Sequence, residues 1–250
     1  IMLGLYGLIR KELYAQDKLP LKYCDVPDNP IIDKCFIYAD AINNTGSGHS
    51  NSATTWKNLM GGTNGTKVGS PKWEDDALVL SSAFQGFYFM KSTPASLTLE
   101  AVFESIDTSQ AGKIINNIES GGCALYASPV QVGACVYNGS TYINNSPLNL
   151  KPKKHYAAYT VDSSKSKAVL YSDSFLTKSE LSSRFVYPSS SKLPPWTIGY
   201  NAYYQSPWYY NGTGNEQFIG KIYSVRVHSR VLSEDEIRKN MLYERNRYNF

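Results

Sequence analysis

The sequence is short of the features that mark membrane proteins and nucleic-acid-binding proteins. Its 250 residues contain no apolar run near the roughly 18 residues that a membrane-spanning helix needs. Charged residues make up only 18%, and the formal net charge of +4 is spread along the chain. The two short basic groups, at 151–154 and 238–247, lie far apart in the sequence. We therefore expect no membrane span and no nucleic-acid partner.

Histidine and cysteine are also scarce. The chain has three histidines and four cysteines, with no Cys-x-x-Cys pair and no Cys/His cluster of the spacing that zinc sites use. His49, His155 and His228 lie in three unlike contexts, so neither a Ser/His/Asp arrangement nor a pair of metal ligands can be recognised. We expect His49, in a Gly/Ser loop, to make a structural hydrogen bond. His228 falls on the polar face of a predicted strand.

Two cysteines flank a predicted hairpin. A turn about Pro129 would place Cys123 directly opposite Cys135 on adjacent strands. The alternatives are a disulfide or two small buried thiols. Whether Cys24 and Cys35 are bonded stays open.

Tyrosine is abundant, with 20 residues, and Ser, Asn and Gly crowd the segments between short apolar runs. This composition favours β-strands joined by polar turns. Eleven candidate strands lie at 35–41, 77–82, 86–90, 97–105, 113–118, 123–127, 132–137, 156–161, 167–172, 197–200 and 221–228. Many short strands without alternating helices predict an all-β sandwich or jelly roll.

The first 35 residues differ from the rest. Residues 5–13 have helical spacing, and the proline-containing stretch 19–30 then ends any regular element. We interpret 1–35 as a connecting or anchoring segment and 36–250 as one sandwich domain. Because basic residues follow the apolar stretch and no cleavage site is evident, it does not resemble a signal peptide, and we expect the sequence to be a piece of a longer chain.

The chain closes with a strand and a capped helix. Along 221–228 the side chains alternate, which predicts a half-buried strand with Tyr223, Val225 and Val227 on one face and Ser224, Arg226 and His228 on the other. Ser233 and Glu236 form the sequence pattern of a capping box. The helix that follows has Ile237 and Met241 on its apolar stripe, and Arg238, Lys239 and Glu244 elsewhere.

The opening of the sandwich resembles a known family. "YADAINNTGSGHSNSATTWKNLMGG" is similar to the start of laminin G-like, concanavalin A-like sandwich domains of bacterial and bacteriophage surface proteins. The matching residues are Tyr38, Asp40, Asn44, Gly46, Gly48, His49, Trp56, Asn58, Leu59 and Gly61. Asn58 stands where aspartate is common, and residues 218–240 resemble the family's closing strand and helix. The likeness covers about 36–246.

The resemblance implies a jelly-roll β-sandwich whose closing strand pairs beside the opening one, with the short C-terminal helix against the sandwich edge. Ser233, Glu236 and His228 are then architectural. It also implies a non-catalytic recognition or adhesion module on a bacteriophage virion, in its tail or on the capsid surface, or on an extracellular bacterial surface. Its expected partners are a host or bacterial surface glycan and neighbouring virion or surface subunits. One alternative is a virion structural or decoration subunit that binds no sugar.

The other alternative is a glycoside hydrolase, which needs paired carboxylates. Glu100 and Glu104 share a strand face, with Asp107 following. Because this spacing is also that of a polar outer face, we expect no enzyme and no catalytic residue.

No cofactor is expected, although calcium stays an open alternative because related sandwiches often hold it in loops. Asp40, Asn43 and Asn44 are the candidate ligands in the opening loop.

The strongest functional feature is the aromatic stretch at 200–216. Its rings alternate with Asn, Gln and Ser, a composition suited to stacking against sugar C–H faces while amides bind the hydroxyls. A protein contact and simple coverage of the sandwich edge are the alternatives. The expected ligand-binding residues are Tyr203, Tyr204, Trp208, Tyr209, Tyr210 and Asn211.

Overall fold

The computed structural model describes residues 26–74, 76–106, 111–118, 121–151, 153–186, 195–201 and 216–250. Within these ranges, no helix is long and apolar enough to cross a membrane. Of the predicted N-terminal segment, only 26–35 are described. Ile31 in this stretch is tied to the domain, because its backbone N–H donates to Asn240 Oδ1 at 2.6 Å.

The described part of the chain forms two antiparallel sheets and one α-helix. The first strands are β1 Cys35–Asp40, β2 Thr55–Trp56, β3 Gly65–Val68, β4 Lys72–Glu74, β5 Ala77–Leu80, β6 Gly86–Phe89, β7 Ser96–Ser105, β8 Gly112–Asn116 and β9 Cys123–Ser128. The others are β10 Gln131–Tyr137, β11 Tyr142–Asn144, β12 Leu148–Asn149, β13 His155–Asp162, β14 Lys167–Ser172, β15 Ser174–Ser182, β16 Trp196–Ile198 and β17 Gly220–His228. The helix, α1, spans Glu234–Tyr248.

Eight strands form sheet I in the order β15-β14-β13-β7-β17-β5-β4, with β1 also paired to β17. Nine strands form sheet II in the order β11-β10-β9-β8-β16-β6-β3-β2, with β12 also paired to β10. The all-β sandwich is therefore confirmed, and each of the eleven apolar runs forms a strand. The closing strand does pair beside the opening one, from Cys35 opposite His228 to Asp40 opposite Ser224.

The main core lies between the inner faces of the two sheets. Trp56, Trp73 and Phe87 meet there with ring centroids 5.1 to 5.6 Å apart. Leu99 and Phe103 of sheet I and Leu125 of sheet II belong to the same cluster and are fully buried. Burial of this continuous apolar layer provides the main driving force for folding.

Helix α1 begins where the sequence predicts, but it does not pack against the predicted edge of the sandwich. The Glu236 N–H donates to Ser233 Oγ at 3.3 Å and the Ser233 N–H donates to Glu236 Oε2 at 2.9 Å, which confirms the capping box. Ile237 and Met241 are buried against Tyr156 and other residues on the outer face of sheet I. The helix thus covers a sheet face rather than the sandwich edge.

Because of this helix, β17 is buried on both faces. The expectation of a half-buried strand with an exposed polar face is wrong, since Arg226 and His228 are at most 1% exposed. A β-bulge between Ile222 and Ser224 also changes the alternation. It turns Tyr223 to the outer face, away from Val225.

The proposed pairing of Cys123 with Cys135 is wrong by one residue. Because the hairpin turns between Ser128 and Gln131, Cys123 lies opposite Val136 and Cys135 opposite Ala124. A one-residue offset sends side chains to opposite sheet faces. Cys123 accordingly packs in the main core and Cys135 on the outer face, both as free buried thiols, and Cys35 is also a free thiol. Cys24 lies outside the described residues.

Candidate functional site

The six ligand-binding residues expected from the sequence lie outside the described residues, but the two ends of their segment are described. The described residues stop at Asn201 and resume at Glu216. Asn201 Nδ2 donates to Glu216 Oε2 at 2.5 Å, so the two ends lie side by side. The backbone N–H of Lys113 on β8 donates to the carbonyl of Glu216 at 2.9 Å. Both ends are therefore fixed beside the first residues of β8, in sheet II.

Next to these ends, the outer face of sheet II carries a group of polar and aromatic side chains. The strand register places Lys113 opposite Tyr126, and Tyr126 opposite Gly133. The Tyr126 hydroxyl donates to Asn144 Oδ1 at 3.0 Å. We call Lys113, Tyr126, Gly133, Asn144 and Glu216 the tyrosine face.

The glycine in this group sets the position of the ring. A Cβ at Gly133 would lie 2.3 Å from Cε2 of Tyr126 and 2.7 Å from its hydroxyl oxygen. The far end of the ring therefore lies directly over the Gly133 backbone, which only glycine permits. Ala124 and Cys135, buried and also small, lie beneath the ring as part of the same outer cluster. Small residues on β9 and β10 thus let a partly exposed tyrosine lie along the surface of the sheet.

The electrostatics of the tyrosine face come from one ion pair. Lys113 Nζ lies 3.4 Å from Glu216 Oε1 and 4.7 Å from the centroid of the Tyr126 ring. The Lys113 side chain is only 12% exposed, whereas that of Glu216 is 39% exposed. Burial raises the pKa of Tyr126 to about 12, and nearby Cys135 adds to the rise. The phenol consequently stays a hydrogen-bond donor at neutral pH.

The outer face of sheet I is different, because its polar groups are buried under α1. Glu100 Oε2 lies 3.1 Å from Arg226 Nε and 2.8 Å from His228 Nε2, and Asn240 Nδ2 donates to it at 3.0 Å. Glu100 is 1% exposed. Burial raises the pKa of Glu100, but Arg226 and His228 outweigh burial and hold the pKa well below its usual range. The expectation that this face is a solvent-exposed polar surface is therefore wrong for Glu100.

This arrangement leaves the candidate carboxylates without the properties of a glycosidase pair. Glu100 is ionised and enclosed, so it cannot serve as a proton donor to a substrate. Glu104 accepts a hydrogen bond from the Tyr223 hydroxyl at 3.0 Å. Asp107 lies outside the described residues.

The same buried cluster extends to the end of the helix. Arg226 forms an ion pair with Glu244, which is fully buried although the sequence placed it off the apolar stripe. Arg247 Nη2 lies 2.5 Å from Asp40 Oδ2, and the Tyr248 hydroxyl donates to Asp40 Oδ1 at 2.7 Å. Asp40 thus fastens the closing helix to the opening strand.

The remaining candidate calcium ligands are also engaged. Asn43 Oδ1 accepts the Gly48 N–H at 2.8 Å, and Asn44 exchanges two hydrogen bonds with the Ser50 backbone. The part of the chain that the structure describes contains no group of three His, Cys, Asp or Glu side chains placed to hold a metal ion. The opening loop is held by its own amides.

Asn58 has a structural reason to be an amide. Its Nδ2 donates to the Phe36 carbonyl at 2.9 Å, and its Oδ1 accepts the Tyr38 N–H at 3.1 Å. An ionised aspartate could not make the first of these bonds. His49 is likewise structural, as expected, with Nδ1 2.6 Å from the Ala41 carbonyl.

No protein-family model matches the sequence, and no curated protein is significantly similar to it. Solved structures do share its fold. The CBM40 module of the Ruminococcus gnavus IT-sialidase, bound to α2,3-sialyllactose, is 14% identical with a TM-score of 0.51, over 65% of this chain and 94% of the module. The fold is therefore that of a β-sandwich also used by a carbohydrate-binding module.

Two sialidases also share the fold. The Trypanosoma rangeli sialidase in complex with 2,3-difluorosialic acid is 13% identical with a TM-score of 0.60, over 97% of this chain and 39% of that enzyme. The leech intramolecular trans-sialidase is 14% identical with a TM-score of 0.52, over 70% of this chain and 28% of that enzyme. The chain spans well under half of either enzyme, and at these identities the likeness shows the fold alone.

Proposed function

We propose that this domain is a non-catalytic glycan-binding module whose site is the tyrosine face together with segment 202–215. The observation that carries the proposal is the placement of the segment's two ends beside Lys113. The sequence between these two ends carries five aromatic residues and no charged residue, and the ends themselves lie beside Lys113, which is opposite the partly exposed Tyr126. Rings for stacking and polar groups for hydroxyls are what a sugar requires.

The fold likeness to a carbohydrate-binding module supports the same proposal. The environments of Glu100 and Glu104 support it as well. Glu100 is buried and ionised and Glu104 is bound by Tyr223, which argues against a hydrolase in the described part of the chain. We further propose, from the sequence resemblance, a laminin G-like domain displayed on a bacteriophage virion or a bacterial surface. The rival, a virion structural or decoration subunit, would share this fold, and sugar binding is what separates the two.

A glycan array probed with the purified domain tests the proposal. We expect binding to at least one glycan class, followed by a loss of roughly tenfold or more in affinity for Tyr126→Ala, because one stacking ring is removed. Tyr243→Ala is the matched control, since this half-buried tyrosine lies on α1, over the other sheet. An array without any binding, from a domain shown to be folded, would contradict the proposal.

Trp208→Ala tests the segment separately. Loss of affinity in Trp208→Ala and in Tyr126→Ala is expected if the two regions form one site. Unchanged affinity in Trp208→Ala, with an intact fold, would remove the segment from the site and leave only the tyrosine face.

A further inference from the structure

We infer that side chains at the end of β17 and on α1 form a groove that binds the backbone of residues 29–34, which we call the strap. The strap precedes β1 and lies beside α1 on the outer face of sheet I, because Ile31 packs against the apolar cluster under the helix. The tyrosine face lies on the outer face of sheet II. The strap therefore fixes where the preceding chain joins the domain, on the side opposite the proposed sugar site. The inference does not depend on that site binding sugar.

At the helix end of the groove, one side-chain amide takes the place of a neighbouring strand. The Ile31 N–H donates to Asn240 Oδ1 at 2.6 Å, and Asn240 Nδ2 lies 3.4 Å from the Ile31 carbonyl, to which it donates. A residue in an antiparallel sheet exchanges the same pair of bonds with its partner. Asn240 is fully buried, so water does not compete for its amide.

At the strand end of the groove, the residues that close β17 contact carbonyl groups of the strap. The Lys34 carbonyl accepts the Ser229 N–H at 2.8 Å and the Ser229 hydroxyl at 3.1 Å. Arg230 Nε donates to the Asp33 carbonyl at 3.3 Å, and His228 Nδ1 lies 3.3 Å from the same oxygen. Lys34 has a φ of +57°, a left-handed conformation that a lysine keeps only where its surroundings hold it. The strap is thus held at both ends.

The side chains of the strap contribute little to this docking. Ile32 is 44% exposed, and Asp33 and Lys34 are also exposed. The Asp33 carboxylate lies 2.9 Å from Arg230 Nε, but 68% of the Asp33 side chain is exposed, so water screens this ion pair. The groove consequently recognises the strap by its backbone and tolerates changes in these side chains.

Glu100 gives the groove its geometry. Asn240 Nδ2 donates to both carboxylate oxygens of Glu100 at 3.0 Å, which turns Asn240 Oδ1 towards the Ile31 N–H. His228 Nε2 lies 2.8 Å from Glu100 Oε2, so the other ring nitrogen faces the Asp33 carbonyl. Glu100, Asn240 and His228 are at most 1% exposed. A buried network with satisfied hydrogen bonds is rigid, so the groove is preformed for an extended backbone.

Amide hydrogen exchange of the native protein, followed residue by residue by NMR, tests the inference. We expect the Ile31 amide to exchange at least roughly tenfold more slowly than in an unstructured peptide of the same sequence, because its hydrogen bond must open first. We also expect backbone order parameters of about 0.85 at Ile32 and Asp33, the value of a rigid backbone. Peptide-like exchange at Ile31, or order parameters below about 0.6 along the strap, would overturn the inference.

Asn240→Ala removes the helix end of the groove. The Ile31 amide should then exchange roughly tenfold faster or more, while amides in the centre of β17 keep their native protection. Asn246→Ala is the matched control, because it makes the same change at an exposed position of α1 and should leave exchange at Ile31 unchanged. Unchanged exchange at Ile31 in folded Asn240→Ala would overturn the inference. The native measurements decide the question if this variant does not fold.

Changes within the strap test recognition through the backbone. Ile32→Ala and Asp33→Ala should each change the exchange rate of the Ile31 amide by less than about twofold, because the contacts they remove are exposed. An increase of roughly tenfold in either variant, with an intact fold, would show that side chains hold the strap and would overturn the inference.

Discussion

Replacement of Arg226 by Met should be among the most destabilising single changes in this domain. The guanidinium is 1% exposed and forms ion pairs with Glu100, at 3.1 Å, and with Glu244. It also lies 5.3 Å from the centre of the Tyr38 ring. Met fills much of the same volume but leaves two buried carboxylates with one cation fewer.

The expected loss follows from what each carboxylate retains. Glu100 keeps its contacts with His228, Asn240 and Tyr156. Among the described residues, Glu244 keeps only the Arg247 Nη1 contact at 3.3 Å and a Ser224 hydroxyl at 3.3 Å. Removing one partner of a buried ion pair typically costs about 3 to 5 kcal/mol. For a domain of this size that corresponds to a fall in melting temperature of roughly 6 to 20 °C.

Urea unfolding followed by circular dichroism measures the change in unfolding free energy. The matched control is Arg238→Met on α1, because its ion pair with Asp235 is at the surface and should be worth about 0 to 1 kcal/mol. The double variant Arg226→Met/Glu244→Met should regain part of the loss, since it also removes one stranded carboxylate. A loss below about 1 kcal/mol in Arg226→Met, with native spectra, would refute this account of the buried cluster.

Three further outcomes are expected. Ser233→Ala should lower the unfolding free energy by roughly 0.5 to 2 kcal/mol, because the capping hydroxyl is lost, and an unchanged thermal midpoint would count against the capping box. The hydrogen bonds from Arg230 lower the pKa of Glu236 from 4.5 to about 2, so its contribution to stability is complete above about pH 4.5 and disappears as the pH falls towards 2. Glu236→Gln should therefore lose stability at pH 7 and show a flatter acid limb in pH-dependent melting, and parallel acid limbs in both proteins would contradict this. Gly133→Ala should displace the Tyr126 ring and weaken glycan binding by roughly tenfold with little change in melting temperature, and full affinity would show that the ring position does not matter.

The sequence predicts the strands well because apolar runs between turn signals need no long-range information. It misses strands whose residues are mostly polar. β15, at Ser174–Ser182, carries Ser, Thr, Lys and Glu and lies at the edge of sheet I. Edge strands in water are often polar, so their composition resembles that of a loop.

Alternation alone does not reveal what covers a sheet face. The spacing of Glu100 and Glu104 places them correctly on one face, but that face is buried by a helix that begins more than a hundred residues later. Arg226 shows the same limitation, since a polar residue on an amphipathic strand is normally interpreted as exposed. The pairing of charges across β7, β17 and α1 becomes visible only in three dimensions.

Register errors have the largest consequences for the site. The predicted hairpin is centred on Pro129 and places Cys123 opposite Cys135. The actual turn lies between Ser128 and Gln131 and brings Tyr126 opposite Gly133. The predicted register therefore does not bring the residues of the tyrosine face together, although Gly133 is a usable signal, because an isolated glycine in a strand often marks a close approach by a neighbour.

Mapping of a bound glycan on the domain tests the central claim most directly. Backbone amide shifts would be recorded by NMR while the domain is titrated with the glycan that binds best on the array. The account predicts saturable shifts centred on Lys113, Tyr126, Gly133, Asn144 and Glu216, with none along α1. Shifts centred on α1 or on the opening loop at 43–50, with the tyrosine face unchanged, would contradict it.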